Sequence, residues 1–350
     1  MRIELPISKS IANRLLILQA IHGDGLMTVS CDMPDDVQIL HNALTTLRTF
    51  KTSKTLSTPH IDVGNCGTAM RFLTAYCAQL EGQTTILDGV ERMHHRPIGQ
   101  LVDALREIGA DIEYLGEEGC PPLRIKGCIL DKHRIVTINN PQSTQFVSAL
   151  LLIGANVQTD STSPYIYITQ EVIKQYQLSP FSFHISVEKD WSSAAFWYEY
   201  VALHGGEITL PGLSRDSLQG DKVIADIFAH LGVSTQYTEE GIRIYRSQAI
   251  LNSKFLIQNF SACPDLYPAI ALTCERLGVE LHATGVESLP LKESDRLRAV
   301  REHRTDADHR MAMALLIAGY EVDDTACISK SYPQFMEQFR QLRKKVIISE

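Results

Sequence analysis

What most constrains the fold of this chain is a plan that recurs: helix, glycine, strand, turn, strand. Across 97–125, Leu101, Ala104, Leu105 and Ile108 mark one face of a helix, Gly109 ends it, and 110–114 reads as a strand. A Gly-Glu-Glu-Gly turn then leads into a second strand through Leu123 and Ile125. Across 221–245 the plan returns, with Val223, Ile224, Ile227, Phe228 and Leu231 on the helix, Gly232 at its end, a strand at 233–237, a Thr-Glu-Glu-Gly turn, and Ile242-Arg243-Ile244. A blurrier copy starts at 37–47, with helical spacing but no clear hairpin after it. Further helices are expected at 145–155 and 192–203. Recurring units of this kind predict an α/β chain of repeated βα units. Its 350 residues suggest two domains, with a crossover near 187–190.

Charge and cysteine usage narrow the function. Lys and Arg number 33 against 41 Asp and Glu, a net charge of −8, which argues against a general nucleic-acid or membrane-surface binder. The eight cysteines form no Cys-x-x-Cys pair and several sit in apolar runs, so reduced, buried thiols in a cytoplasmic protein are expected rather than a zinc site or a disulfide framework. The N-terminus carries no apolar core of signal-peptide length, and 146–157 is too short and too interrupted to span a membrane. Phosphate-loop, dinucleotide and His-Glu-x-x-His motifs are absent, and the adjacent His94 and His95 point apart on any regular element, so no metal site is expected.

Polar segments open several apolar helices. Ser8-Lys9-Ser10 with Asn13-Arg14 precedes a helix at 15–21, with Ser8 a plausible N-cap and two cations where the helix dipole disfavours them. Residues 64–71 (Gly-Asn-Cys-Gly-Thr-Ala-Met-Arg) offer a tight turn and free N–H groups, with Asn65 or Thr68 as cap. Arg92, His94, His95 and Arg96 end at Pro97. Ser143, Thr144 and Gln145 offer hydroxyls and an amide, one of which an N-cap explains. Asp265 follows Pro264 as either an N-cap or a general base. Last, 291–316 gathers Lys292, Glu293, Asp295, Arg296, Asp308, His309 and Arg310 before an apolar helix, and Lys330 lies beyond. So many cations at helix starts in an acidic chain predict small, multiply anionic substrates, with Asp265 and Glu293 as acid–base candidates.

Taken together and in order, Ser8 to Arg14, Gly64 to Arg71, Arg92 to Gly99, Ser143 to Phe146, Glu188 to Ser193, Pro264-Asp265, Lys292 to Arg296, Asp308 to Met313 and Lys330 resemble the motifs of the 5-enolpyruvylshikimate-3-phosphate synthase family. The resemblance implies two domains of βαβαββ units, one of them truncated: 8–188, with mostly shikimate 3-phosphate contacts, and 1–7 plus 189–350, with part of the phosphoenolpyruvate site. It implies transfer of the enolpyruvyl group of phosphoenolpyruvate to the 5-hydroxyl of shikimate 3-phosphate by addition and elimination, with no cofactor, in a cytoplasmic protein expected to be a monomer. Lys9, Ser10, Arg14, Ser143, Thr144, Gln145, Thr162 or Ser163, Asp265 and Lys292 would hold shikimate 3-phosphate. Lys9, Asn65, Gly67, Arg96, Gln145, Arg296, Arg310 and Lys330 would hold phosphoenolpyruvate. Asp265 would be the base, and Glu293 with Lys9 the proton-transfer groups.

The sequence departs from the family pattern at Ile7, Cys66, Phe72, His94 and Ser288, and most of all in the short bridge between Arg296 and Asp308. Two rivals are a catalytically silent anion-binding relative and UDP-N-acetylglucosamine enolpyruvyl transferase. The second usually carries Lys-Asn where this chain has Lys9-Ser10.

Overall fold

The computed structural model describes residues 1–53, 57–178, 187–247 and 255–348. Its contacts divide the chain into two compact units, one of Ser10–Ser30 with Asp36–Ser186, the other of Met1–Lys9, Cys31–Asp35 and Val187–Glu350.

The N-terminal unit begins with α1 (Lys9–His22), α2 (Asp35–Ser53), β1 (His60–Asp62), α3 (Gly67–Ala78) and β2 (Thr84–Asp88). A 3-10 turn (Glu91–His95) leads to α4 (Gly99–Glu107), β3 (Asp111–Tyr114) and β4 (Leu123–Lys126). This is the first repeat in three dimensions. Gly109 takes φ +100°, which only glycine adopts without strain, and β3 and β4 pair antiparallel with Ile112 opposite Ile125. The sheet order is β1-β2-β4-β3, with β1 parallel to β2. The third copy therefore lacks its hairpin: after α2 the chain enters a single short strand. β5 (Ile135–Thr137), α5 (Thr144–Leu152), β6 (Asn156–Gln158) and α6 (Pro164–Leu178) complete the unit. Alternating burial along β4 sends Leu123 and Ile125 inward to a core that also holds Leu87, Leu101, Leu105 and Phe146.

The C-terminal unit is built around α7 (Trp191–His204), which is mostly apolar and buried on all sides from Trp191 to Ala202. β7 (Glu207–Pro211), α8 (Ile224–Ala229), β8 (Val233–Tyr237) and β9 (Gly241–Arg246) form the second repeat, with sheet order β7-β9-β8. The first residues of the chain join it, Ile3 N donating to Thr209 O at 2.9 Å and Thr209 N to Met1 O at 2.7 Å. β10 (Phe255–Asn259), α9 (Tyr267–Leu277) and β11 (Glu280–Thr284) follow, and β10 and β11 form a two-stranded parallel sheet. Where another hairpin would extend that sheet, the chain runs into α10 (Arg296–Glu302), α11 (His309–Ala318) and α12 (Phe335–Ile348).

The bridge between α10 and α11 is tight. His303, Asp306 and Ala307 all take positive φ. One buried residue ties its ends together, as the site shows.

Candidate functional site

Two clusters of functional side chains lie within the units. In the N-terminal unit, the starts of α3 and α5 are joined by Gln145, whose Nε2 donates to Thr68 Oγ1 at 2.8 Å. Thr68 is thus a bridge rather than a cap, and Asn65 does not cap either. Cys66 does, its Sγ accepting from Ala69 N at 3.4 Å. Ser143 caps α5, accepting from Gln145 N at 3.3 Å. Arg96 lies against this turn, with Nη1 3.5 Å from Asn65 O and Oδ1. Gly67 lets the guanidinium ends of Arg96 and Arg71 close on the turn, since a Cβ on it would stand 2.6 Å from Arg96 Nη2 and 2.8 Å from Arg71 Nη1. Arg71 reaches from α3 to Pro97 O at 3.0 Å and so fixes the chain that carries Arg96.

Arg14 is a strut in this unit. Its Nε donates to Thr169 Oγ1 at 2.7 Å, Nη1 to Ser10 O at 2.6 Å, and Nη2 to Ser148 Oγ at 3.1 Å and Tyr165 O at 3.0 Å. Burial lowers its guanidinium to about 10. Ser8 is not the cap of α1: its Oγ is buried with no partner among the described residues. Thr162 and Ser163 both line an open groove of about 780 Å³ beside Thr137 and Asn139. Ser163 Oγ accepts from Tyr165 N at 3.3 Å at the start of α6.

The C-terminal cluster centres on Asp265, in the 3-10 turn (Pro264–Leu266) before α9. Its carboxylate is no helix cap. Oδ1 meets Arg296 Nη1 at 2.8 Å and Lys292 Nζ at 3.4 Å, and Oδ2 meets Arg310 Nη2 at 2.9 Å. Glu293 holds Lys330 Nζ at 3.0 Å on one oxygen and Arg296 Nη2 at 3.2 Å on the other. Asp308 caps α11, accepting from Arg310 N at 2.9 Å, and takes Arg296 Nε at 2.8 Å on its other oxygen. Lys292-Glu293 and His309-Arg310 therefore converge despite the short bridge. Arg296, 1% exposed, is what joins them.

Electrostatics follow from this packing. Burial alone would raise Asp265, but Arg310, Lys292, Arg296 and Lys9 outweigh it and hold the carboxyl well below its ordinary range. His309 is fully buried, and burial followed by the fields of Lys9 and Arg310 holds its imidazole neutral, well below the usual histidine value. Neither ring nitrogen has a hydrogen-bond partner among the described residues, Nδ1 lying 3.7 Å from Asp308 Oδ1. Asp190 caps α7 through Ser193, and burial raises its carboxyl against the pull of Arg310.

Asp190 and Asp221 are buried acids beside this cluster that no motif in the sequence marks individually. Asp190 lies inside the Glu188 to Ser193 segment already singled out, and Asp221 opens the second repeat helix. Burial is what distinguishes both acids, and no local sequence pattern carries it. Of the cysteines, Cys66, Cys77, Cys263 and Cys274 are buried as expected, whereas Cys31 is exposed. Among the described residues, no helix is long and apolar enough to cross a membrane.

Comparison with known proteins adds an independent line. A model of the family described as EPSP synthase (3-phosphoshikimate 1-carboxyvinyltransferase) matches residues 1–179, 152–304 and 302–339. A 3-phosphoshikimate 1-carboxyvinyltransferase of Bacteroides fragilis is 37% identical over 400 aligned positions, covering 97% of this chain and 94% of that protein. One from Cellvibrio japonicus is 31% identical, covering 97% and 96%. Among solved structures, an EPSP synthase of Acinetobacter baumannii superposes with a TM-score of 0.66 at 18% identity, over 97% of this chain and 95% of that one. The alignments are longer than this 350-residue chain, so it carries net deletions. The second and third matched pieces of the family model meet at 302–304, inside the bridge.

Proposed function

The chain belongs to the EPSP synthase (3-phosphoshikimate 1-carboxyvinyltransferase) family, and from that premise we propose that its two clusters transfer the enolpyruvyl group of phosphoenolpyruvate to the 5-hydroxyl of shikimate 3-phosphate, releasing phosphate. The observation that carries this reading for a shortened chain is the convergence of Lys292, Arg296, Arg310 and Lys330 on Asp265 and Glu293. Two of the five ion pairs are Arg296's and hold the fold, and the other three set Lys292, Arg310 and Lys330 around the same two carboxylates, the charge arrangement this chemistry needs.

The roles follow from the contacts. Arg310 and Lys330, with Lys9, supply charge for the carboxylate and phosphate of phosphoenolpyruvate, and in the N-terminal unit Arg96, Asn65, the Gly67 turn and Gln145 supply a second set of donors. Arg296 contributes to this half-site by orienting Asp265 and Glu293, since its three donor nitrogens already meet carboxylates. Ser10, Ser143, Thr144 and Lys292 suit the phosphate and hydroxyls of shikimate 3-phosphate, with Arg14 fixing the backbone at Ser10. Thr162 or Ser163, which line one groove, serves the same substrate, since a hydroxyl that accepts an N–H at a helix start, as those of Ser143 and Ser163 do, can still donate to a substrate oxygen.

Addition needs a proton taken from the 5-hydroxyl and a proton given to the methylene carbon, and elimination takes a proton back from that carbon as phosphate leaves. Asp265 is the base. Held as low as it is, it becomes effective only when substrate anions draw off the cations around it, which makes it a base gated by substrate. Glu293, between Lys330 and Arg296, and the Lys9 ammonium are the groups for the methylene proton. The protein is read as cytoplasmic and monomeric.

The test is phosphate release from phosphoenolpyruvate on adding shikimate 3-phosphate. Release only with a UDP-sugar acceptor would indicate the sister transferase, and ligand binding without release would indicate a silent relative.

A further inference from the structure

Arg310 is almost fully buried, yet only one arm of its guanidinium is matched. Nη2 donates to Asp265 Oδ2 at 2.9 Å, while Nη1 is buried with no partner among the described residues. An acid in its field shows the same asymmetry. Asp221, 3% exposed in the 3-10 turn (Gly220–Val223) before α8, accepts the Ser192 hydroxyl on Oδ2, and its Oδ1 is buried and unmatched.

The groups facing Asp221 come from several elements. Asp265 acts on it from the turn before α9, Ser192 and Asp190 from the start of α7, and Arg310 from α11. Cys263 also lies in its field, and burial and then Asp221 push that thiol up to about 12. Arg310 thus serves Asp265, Asp190 and Asp221 together, with one arm still open.

We infer that Asp221 is a positioning residue that acts through Arg310, taking a proton from solvent when an anion settles on the open arm of that arginine. The inference rests on the reading of this cluster as part of the phosphoenolpyruvate site. An anion arriving on Arg310 adds negative charge to a buried place that already holds three carboxyls, and one of them must respond. Asp265 is held strongly ionised by its cations. Burial, followed by the field of Asp265, pushes Asp221 up to about 7, so it is the acid that changes state with least disturbance near neutral pH. Its protonation leaves Arg310 to the incoming anion and keeps Asp265 ionised for the substrate hydroxyl.

Calorimetric titration of the full chain with phosphoenolpyruvate, in two buffers of different ionisation enthalpy, reads the proton directly. At about pH 8 a phosphate monoester is fully ionised, so any proton taken up belongs to the protein. The wild type is expected to take up on the order of half a proton or more per site. Asp221→Asn is expected to take up almost none. Ser192→Ala, which removes a hydrogen bond that lowers Asp221, is expected to move the pH of greatest uptake upward, and it carries the test if tryptophan fluorescence shows Asp221→Asn unfolded. Binding heats that do not depend on the buffer, or full uptake in Asp221→Asn, would overturn the inference while leaving turnover and the function intact. Absence of both binding heat and phosphate release would overturn the function and this inference together.

Discussion

Replacing Arg296 with Gln tests whether this residue is the strut that lets a short bridge hold the C-terminal cluster. Its Nε lies 2.8 Å from Asp308, its Nη1 2.8 Å from Asp265 and its Nη2 3.2 Å from Glu293, and the side chains involved are 1%, 0%, 17% and 11% exposed, in the order Arg296, Asp308, Asp265, Glu293. Removing one partner from a buried pair costs about 3–5 kcal/mol. Each carboxylate keeps another partner here: Asp265 has Arg310 and Lys292, Glu293 has Lys330, and Asp308 has Ser294 and the N–H of Arg310. The low end, about 3 kcal/mol, is therefore expected. Both tryptophans of the chain, Trp191 and Trp197, are buried in α7, so their fluorescence reports the C-terminal unit alone. With a urea slope of about 2–3 kcal/mol/M for a unit of this size, the midpoint should fall by about 1–1.5 M. A fall under about 0.3 M would refute the strut, because it would mean a loss below about 1 kcal/mol.

Three further outcomes follow from the same contacts. Asp265→Asn should keep the fold by circular dichroism and lose on the order of 10²–10⁴ in single-turnover phosphate release, and near-normal turnover would remove it as the base. Gly67→Ala should raise KM for phosphoenolpyruvate by about tenfold or more with little change in Tm, because the new Cβ meets the ends of the Arg96 and Arg71 side chains, at 2.6 and 2.8 Å, rather than backbone. Glu199, buried in α7 with neither oxygen matched among the described residues, is raised well above its ordinary value by burial. Because the folded value is raised, keeping the group neutral adds no further cost below the unfolded value and a growing one as pH rises beyond it. Glu199→Leu should therefore gain about 1–3 kcal/mol near pH 4, where the buried neutral carboxyl is already unmatched, and more at pH 8, read by thermal unfolding at both.

The fold was legible where local patterning and turn chemistry agree. Gly109 and Gly232 ended the helices they were expected to end, at φ +100° and +84°, and the hairpins after them formed in antiparallel register. The copy at 37–47 was less legible because its continuation depends on pairing with β2, a non-local contact that spacing does not encode. In the site, the residue types and their order showed which positions to watch. What they could not show was who pairs with whom. Arg296 reads in sequence as one more anion grip, yet the fold turns all three of its donor nitrogens onto carboxylates. Asp190 and Asp221 are ordinary acids in the sequence, and only burial around Arg310 gives them a role.

Addition and elimination at the enol carbon by this shortened chain break the bond between carbon and the bridging oxygen. Phosphoenolpyruvate labelled with heavy oxygen at that bridge tests it most directly. The account predicts that, only in the presence of shikimate 3-phosphate, the released phosphate carries the label and an enolpyruvyl ether accumulates in equal amount. Unlabelled phosphate, with the heavy oxygen retained in pyruvate, would show cleavage at phosphorus and contradict it.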